Sequence, residues 1–213
     1  MIPITVVGID PGTTVTGYGV VQREGQRLVL LECGVIRPTA GTPLPARIRQ
    51  IFEGINAILD RFEPDVVAVE DVFQGKNARS ALVLGHARGA ILLAAELRDI
   101  TLAEYTPLAI KKAVVGHGSA TKDQVGLMVQ ERLRLVAPPR PADAADGVAA
   151  ALCHMALGHR ISFRTAVTPP ARSPDRPPVR TVAGTAARTA AGTNVRTAAG
   201  TPDRPPSPAP ESR

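Results

Sequence analysis

The stretch Ile4-Thr5-Val6-Val7-Gly8-Ile9-Asp10-Pro11-Gly12 runs apolar to Ile9 and then breaks into an acid and a tight turn. Branched apolar residues at this density, closed by Asp-Pro-Gly, predict a buried strand with a carboxylate at its end. Such a carboxylate gives up hydration and needs a donor, a proton or a cation to compensate. Asp-Pro-Gly is also ordinary turn chemistry, so Asp10 alone does not separate a turn from a site. Gly8 and Gly12 add a functional reading of their own, because bare backbone lets a phosphate come close.

Working outward, Thr16 to Gln22 and Arg27 to Ile36 are rich in Val, Leu and Ile and are separated by a short Gly-containing turn, as expected of antiparallel strands following the first. From Leu44 to Phe62 the apolar residues recur at three and four, which predicts an amphipathic helix ended before Pro64. Asp65 to Val72 is a short apolar run of the kind covered on both faces. A helix over Asn77 to Arg98, with Asn77 as its cap, a strand over Thr101 to Tyr105, a helix over Thr121 to Leu135 and a helix from Ala142 to about Gly158 complete the order. Three antiparallel strands followed by alternating strand and helix predict an α/β fold: a mixed five-stranded sheet, its later strands parallel, flanked by helices on both faces.

In such sheets chemistry collects at strand ends. Glu70 closes Val66-Val67-Ala68-Val69 and adds nothing to the sheet. Neighbouring strand residues point to opposite faces, so only one of Glu70 and Asp71 can share Asp10's side, and Glu70 is the expectation. Asp143 and Asp146 are three apart and project from one helix face. A cap and a dipole-favouring acid would also explain them. The alanines around them, however, make a thin helix able to lie close to the strand ends. If the four acids converge, each pair at about 4 Å repels by roughly 4 kcal/mol at an effective dielectric near 20. Two divalent cations would remove that conflict, and oxygen-only ligands select Mg2+, with Mn2+ as a substitute, over zinc. The reaction class that follows is phosphodiester hydrolysis.

Phe73, Lys76, Asn77 and Arg79 follow Glu70 and are candidate nucleic-acid contacts, as are Lys111, Lys112 and Lys122. Phe73 would stack on an unpaired base if exposed and would be a core residue if not. The four histidines have no metal-like spacing and receive no catalytic role. The helix over Asn77 to Arg98 is dense in small residues, which permits close helix approach within the domain or across a dimer.

The 213 residues divide by composition. Large apolar residues concentrate in 1–163, which can bury a core, whereas 164–213 is Pro, Ala, Thr, Gly and Arg with octads beginning at Arg180, Arg188 and Arg196, and is expected to be a disordered basic tail. Of the net charge of +6, residues 165–213 supply +4, with seven arginines against Asp175, Asp203 and Glu211. Cys33 and Cys153 are expected to be reduced and buried. Neither a basic leader ahead of an apolar segment nor a long uncharged apolar run is found, so a cytoplasmic protein without membrane contact is expected.

The stretches Gly8-Ile9-Asp10-Pro11-Gly12, Val69-Glu70-Asp71-Val72-Phe73, Lys76-Asn77, Leu84-Gly85-His86-Ala87-Arg88-Gly89, Val115-Gly116-His117-Gly118-Ser119-Ala120 and Pro141-Ala142-Asp143-Ala144-Ala145-Asp146 occur in one order that closely resembles the RuvC family of crossover junction endodeoxyribonucleases. The resemblance spans 1 to about 160 and leaves out the tail. It implies an RNase H-like fold and a homodimer that makes paired symmetric nicks in a four-way Holliday junction. It further implies Mg2+ dependence, a thymine-centred cleavage preference and work beside the RuvA and RuvB branch-migration proteins. By matching position it makes Asp10, Glu70, Asp143 and Asp146 catalytic metal ligands, Phe73 a base-stacking aromatic, and Lys111 and Lys122 basic residues near the site. The alternatives are a sugar-kinase or actin-like phosphotransferase, whose phosphate loop also carries a strand-end Asp followed by Gly and Thr, and a junction-binding protein without nuclease activity. The first needs a second comparable domain, and the second would gain by discarding its acids beside phosphates.

Overall fold

A computed structural model describes residues 3–71 and 78–158. The first three strands, β1 (Ile4–Asp10), β2 (Thr16–Glu24) and β3 (Arg27–Ile36), form an antiparallel meander. Helix α1 (Leu44–Phe62) then crosses to β4 (Val66–Glu70), which pairs parallel to β1, and α2 (Ala78–Glu96) crosses to β5 (Thr101–Tyr105), parallel to β4. Three helices follow: α3 (Pro107–Val115), α4 (Lys122–Leu133) and α5 (Ala142–Leu157). The strand order is β3-β2-β1-β4-β5, the mixed five-stranded sheet that the sequence predicts.

Period-two alternation splits the core into two layers. On one face Val7, Ile9, Val20, Val67 and Val69 pack under α1 and α2 through Ile51, Ile55, Ile91 and Ala94. On the other, Val6, Val21, Val66, Ala68 and Ala103 pack under α3, α4 and α5. Because β1 and β4 are central and covered on both sides, their sequences are continuously apolar. Helix α1 instead shows a stripe, and it stops where Glu63 enters the left-handed region (φ 42°) ahead of Pro64.

Most boundaries fall where periodicity puts them. Thr121 caps α4 and forms a full capping box with Gln124. Helix α3 has no counterpart in the sequence reading; at nine residues it is too short to establish a period, and its signal is local, Thr106 as a cap followed by Pro107 at the first turn. Cys153 is buried as expected, but Cys33 on the edge strand β3 is only partly so. Both are free thiols, and burial pushes both up in pKa, Cys153 to about 12. No helix among the described residues is long and apolar enough to cross a membrane. The expected Asn77 cap and the expected disordered tail, 164–213, lie outside the described residues.

Candidate metal centre

Alternation along the two central strands decides which acids meet. Val6 and Gly8 precede Asp10 on the α5 face of β1, and Val66 and Ala68 precede Glu70 on the same face of β4. The parallel register sets Ile9 beside Val69, so Asp10 and Glu70 stand side by side at adjoining strand ends. Asp71, one residue on, turns to the opposite face, where Arg88 of α2 reaches its carboxylate at 3.3 Å. Glu70 is therefore the acid on Asp10's side, as the sequence reading holds.

Helix α5 reaches the sheet because neither surface has side chains in the way. A Cβ built on Gly17 of β2 would lie 1.8 Å from the Asp143 carbonyl oxygen, and one on Gly147 of α5 would lie 2.5 Å from the Tyr18 Cα. At Gly8 the added carbon would stand 2.2 Å from the Gly147 carbonyl oxygen. Backbone thus meets backbone across the layer, and the first turns of α5 arrive beside Asp10. This corrects the phosphate-approach reading of the glycines: Gly8 receives α5, and Gly12 closes its own turn, where the Thr16 hydroxyl donates to the Gly12 carbonyl at 2.7 Å. Gly17 and Gly147 are missed by motif reading. Gly17 and Gly19, two apart on one strand, facing a helix of alanines, are the pattern that betrays them.

One carboxylate oxygen from each of Asp10, Asp143 and Asp146 lies within 4.8 Å of the other two, and all three residues are half-buried. Glu70 adjoins this group without belonging to it. Its carboxyl is pushed up to about 7, chiefly by burial and then by the charges of Asp10 and Asp146, with Lys122 and Lys111 pulling it down. Asp10 is pushed up to about 6 by burial and next by Asp146, with Lys122 opposing and Asp143 adding to the rise. Lys122 at the start of α4 donates to Asp146 Oδ2 at 2.7 Å, a bond that raises the lysine's own pKa against its burial. The two lysines of the sequence reading thus face the acids, whereas Lys112 is exposed on α3.

Of the capping alternative for the last helix, the cap is absent and the dipole-favouring acid is present as Asp143 alone. Pro141 occupies the N-cap of α5 without a side-chain bond, Asp143 sits inside the first turn, and Asp146 lies beyond it. Phe73, Lys76 and Asn77 lie outside the described residues, as does His159. His154 takes a structural contact, its Nδ1 2.8 Å from the Tyr105 hydroxyl and its pKa lowered by burial.

The donor set fits hard divalent cations: it is all oxygen, it is crowded, and Asp10 and Glu70 resist ionisation, first because they are buried and then because neighbouring carboxylates repel their charge. The profile of the family described as "Crossover junction endodeoxyribonuclease RuvC" matches residues 6–154. The chain belongs to the RuvC family. A RuvC from Shewanella sp. strain MR-4 is 47% identical over 167 residues, covering 75% of this chain and 95% of that protein. The Thermus thermophilus RuvC in complex with a Holliday junction substrate superposes with a TM-score of 0.69 at 38% identity, covering 73% of this chain and 94% of that one. A yeast mitochondrial Holliday junction resolvase, 16% identical with a TM-score of 0.52 over 72% of this chain and 82% of its own, shares the fold. Membership in RuvC makes the chain a crossover junction endodeoxyribonuclease of RNase H-like fold that uses a divalent metal, and it sets aside the phosphotransferase and the non-catalytic alternatives.

Proposed function

We propose that Asp10, Glu70, Asp143 and Asp146 hold two Mg2+ ions, replaceable by Mn2+, over the scissile phosphodiester of a four-way DNA junction, and that the protein resolves Holliday junctions by paired symmetric nicks in recombination and repair. The observation that carries this reading is the convergence of the Asp10, Asp143 and Asp146 oxygens within 4.8 Å, with Glu70 on the same face beside Asp10. When bound, the ions activate water and stabilise the departing oxygen of an in-line displacement.

The chain's own residues do the rest. The four carboxylates orient the ions and, by their shared negative charge, keep the site closed to a phosphate until cations arrive. Lys122 holds Asp146 and, with Lys111, offsets the acids on the side a phosphate would enter. Phe73, Lys76 and Asn77, just beyond Glu70 in the chain, are the candidate base-stacking and backbone contacts.

Two nicks need two sites. Helix α2 supports a homodimer: Leu82, Gly85, His86, Gly89 and Leu93 form an exposed stripe at helical spacing, with Leu82 66% and Leu93 52% accessible. An open, largely apolar groove of about 480 Å3 lies along it, lined by residues such as Ile48, Phe52, Ala90 and Leu93. The nuclease domain is 1–163, and the basic tail, 164–213, adds sequence-independent attraction for DNA. The protein works in the cytoplasm on junctions handled by RuvA and RuvB.

The test is to incubate the full chain with a synthetic four-way junction and a matched linear duplex, with and without Mg2+, and to map the ends. Symmetric nicks confined to the junction and dependent on Mg2+ are expected. Equal cutting of the duplex, or cutting in excess chelator, would overturn the reading.

A further inference from the structure

We propose that Arg88 is a positioning residue that fixes Glu70 in the metal site by clamping the acids on the other face of the sheet. Its guanidinium rises from α2 and pairs with two carboxylates at adjacent parallel strand ends, Asp71 after β4 at 3.3 Å and Glu104 in β5. The register sets Val69 beside Glu104 and Glu70 beside Tyr105, and the Asp71 N–H extends the ladder by donating to the Tyr105 carbonyl at 2.8 Å. One cation therefore ties the last rung of β4 to β5. Since Glu70 is the residue immediately before that rung, its direction is set by whether Asp71 stays on the α2 face.

Two features say the clamp is there for geometry. Arg88 is 20% exposed while its carboxylate partners are 45% and 44% exposed, so the arginine gives up more hydration than the acids it binds. Its Nε is buried with no acceptor among the described residues, a cost that an ion pair serving stability alone would avoid. What the clamp does accomplish is to choose between adjacent acids. Glu70 and Asp71 end one strand, and a twist of the last peptide would exchange their faces. Removing the cation would also leave Asp71 and Glu104 as like charges on one face, which favours such a twist.

The inference rests on the proposed role of Glu70 as a metal ligand. Its test is Mn2+ binding to the full-length, DNA-free protein, measured by calorimetry, beside junction binding in chelator. Arg88→Met is expected to weaken Mn2+ binding roughly 10-fold, in the range seen when a partner that orients a ligand is removed, with metal-free junction binding within about twofold of the original. Both acids meet the single Nη2 of Arg88, so Arg88→Lys should recover part of the affinity by keeping the charge, and only part because the ammonium sits on a shorter stem. Asp71→Asn should weaken binding in the same direction, and combining it with Arg88→Met should add little, because Arg88→Met already removes the Asp71 pair along with that to Glu104. An unchanged Mn2+ affinity in Arg88→Met, or fully additive losses in the pair, overturns the proposal. Should Arg88→Met fail to fold, Asp71→Asn decides, and an unchanged affinity there overturns it equally. Glu70→Gln keeps the two readings apart: unchanged Mn2+ binding in that variant removes the metal role itself, whereas weakened binding there with normal binding in Arg88→Met removes only Arg88.

Discussion

The Lys122 ammonium lies 2.7 Å from Asp146 Oδ2, and the same charge lowers the pKa of both Asp10 and Glu70. One residue of α4 thus acts on three acids drawn from β1, β4 and α5. Metal ligands must be deprotonated to bind, so whatever raises these pKa values moves metal loading to higher pH. Lys122→Met is expected to shift the acidic limb of the cleavage pH profile upward, with a smaller change at the alkaline side. Profiles at several Mg2+ concentrations check this. A limb that stays in place while the whole curve drops would show Lys122 acting on substrate alone.

Without metal, the acid cluster works against the fold. Asp10 and Glu70 have folded pKa values of about 6 and about 7, above their ordinary values, so the folded state binds more protons than the unfolded chain. The sign follows directly. Whatever these groups contribute is fully present below about pH 4 and is lost as pH rises through about 6 to 7. Each shift corresponds to about 3 kcal/mol, and the two are not additive because each charge raises the other. Metal-free protein should therefore lose melting temperature on going from pH 5 to pH 7.5, and saturating Mg2+ should restore it at pH 7.5 more than at pH 5. Thermal melts in chelator and in Mg2+ at both pH values decide; an Mg2+ effect that is larger at pH 5 contradicts the assignment.

Asp10→Asn separates charge from shape. The amide fills the same space, loses the charge proposed to ligate metal and relieves the part of the rise at Glu70 that Asp10 adds to burial. Cleavage should fall by more than the roughly 10–100-fold typical of losing a residue that only supports a ligand, while junction binding persists and the metal-free melting temperature rises. Gel-shift and nicking assays on one preparation test both halves. Undiminished cutting would remove Asp10 from the chemistry.

Much of this site is legible before any coordinates. Period-two alternation places Asp10 and Glu70 on one side, and three-residue spacing places Asp143 and Asp146 on one helix face. What periodicity does not carry is distance. That α5 meets β1 and β2 at backbone contact depends on Gly8, Gly17 and Gly147, which in a sequence look like turn or flexibility residues. The ion pair of Arg88 with Asp71 and Glu104 is equally silent, since its members come from separate elements and share no pattern. Helix α3 escapes because nine residues hold too few turns for a period to emerge.

Residues 165–213 carry seven arginines against three acids. Deleting residues 165–213 should weaken junction binding at low salt and flatten the slope of log K against log salt by about 0.9 for each phosphate that the tail no longer neutralises. Nick positions on the junction should not move. Binding isotherms over a range of salt, read beside mapped nicks, test this; an identical slope would remove the tail from DNA binding.

Gly17→Ala tests the claim that the metal centre depends on backbone contact. The new methyl would meet the Asp143 carbonyl at 1.8 Å, and since both sides are main chain no side-chain rotation relieves it. The first turn of α5 must then move away from β2, taking Asp143 with it. Overpacking of this kind costs about 1–3 kcal/mol, and for a domain of this size each kcal/mol lowers the melting temperature by about 2–4 °C. The same displacement should loosen Mn2+ binding, because Asp143 moves relative to Asp10, which β1 holds in place. Gly25→Ala is the comparison: Gly25 lies in the β2–β3 turn at φ 62° with nothing near its Cβ, so its cost is local strain with no reach to the acids. Both variants should melt earlier, and only Gly17→Ala should lose metal affinity. Equal metal binding by the two would mean that Asp143 reaches its place without help from the packing of α5 on β2.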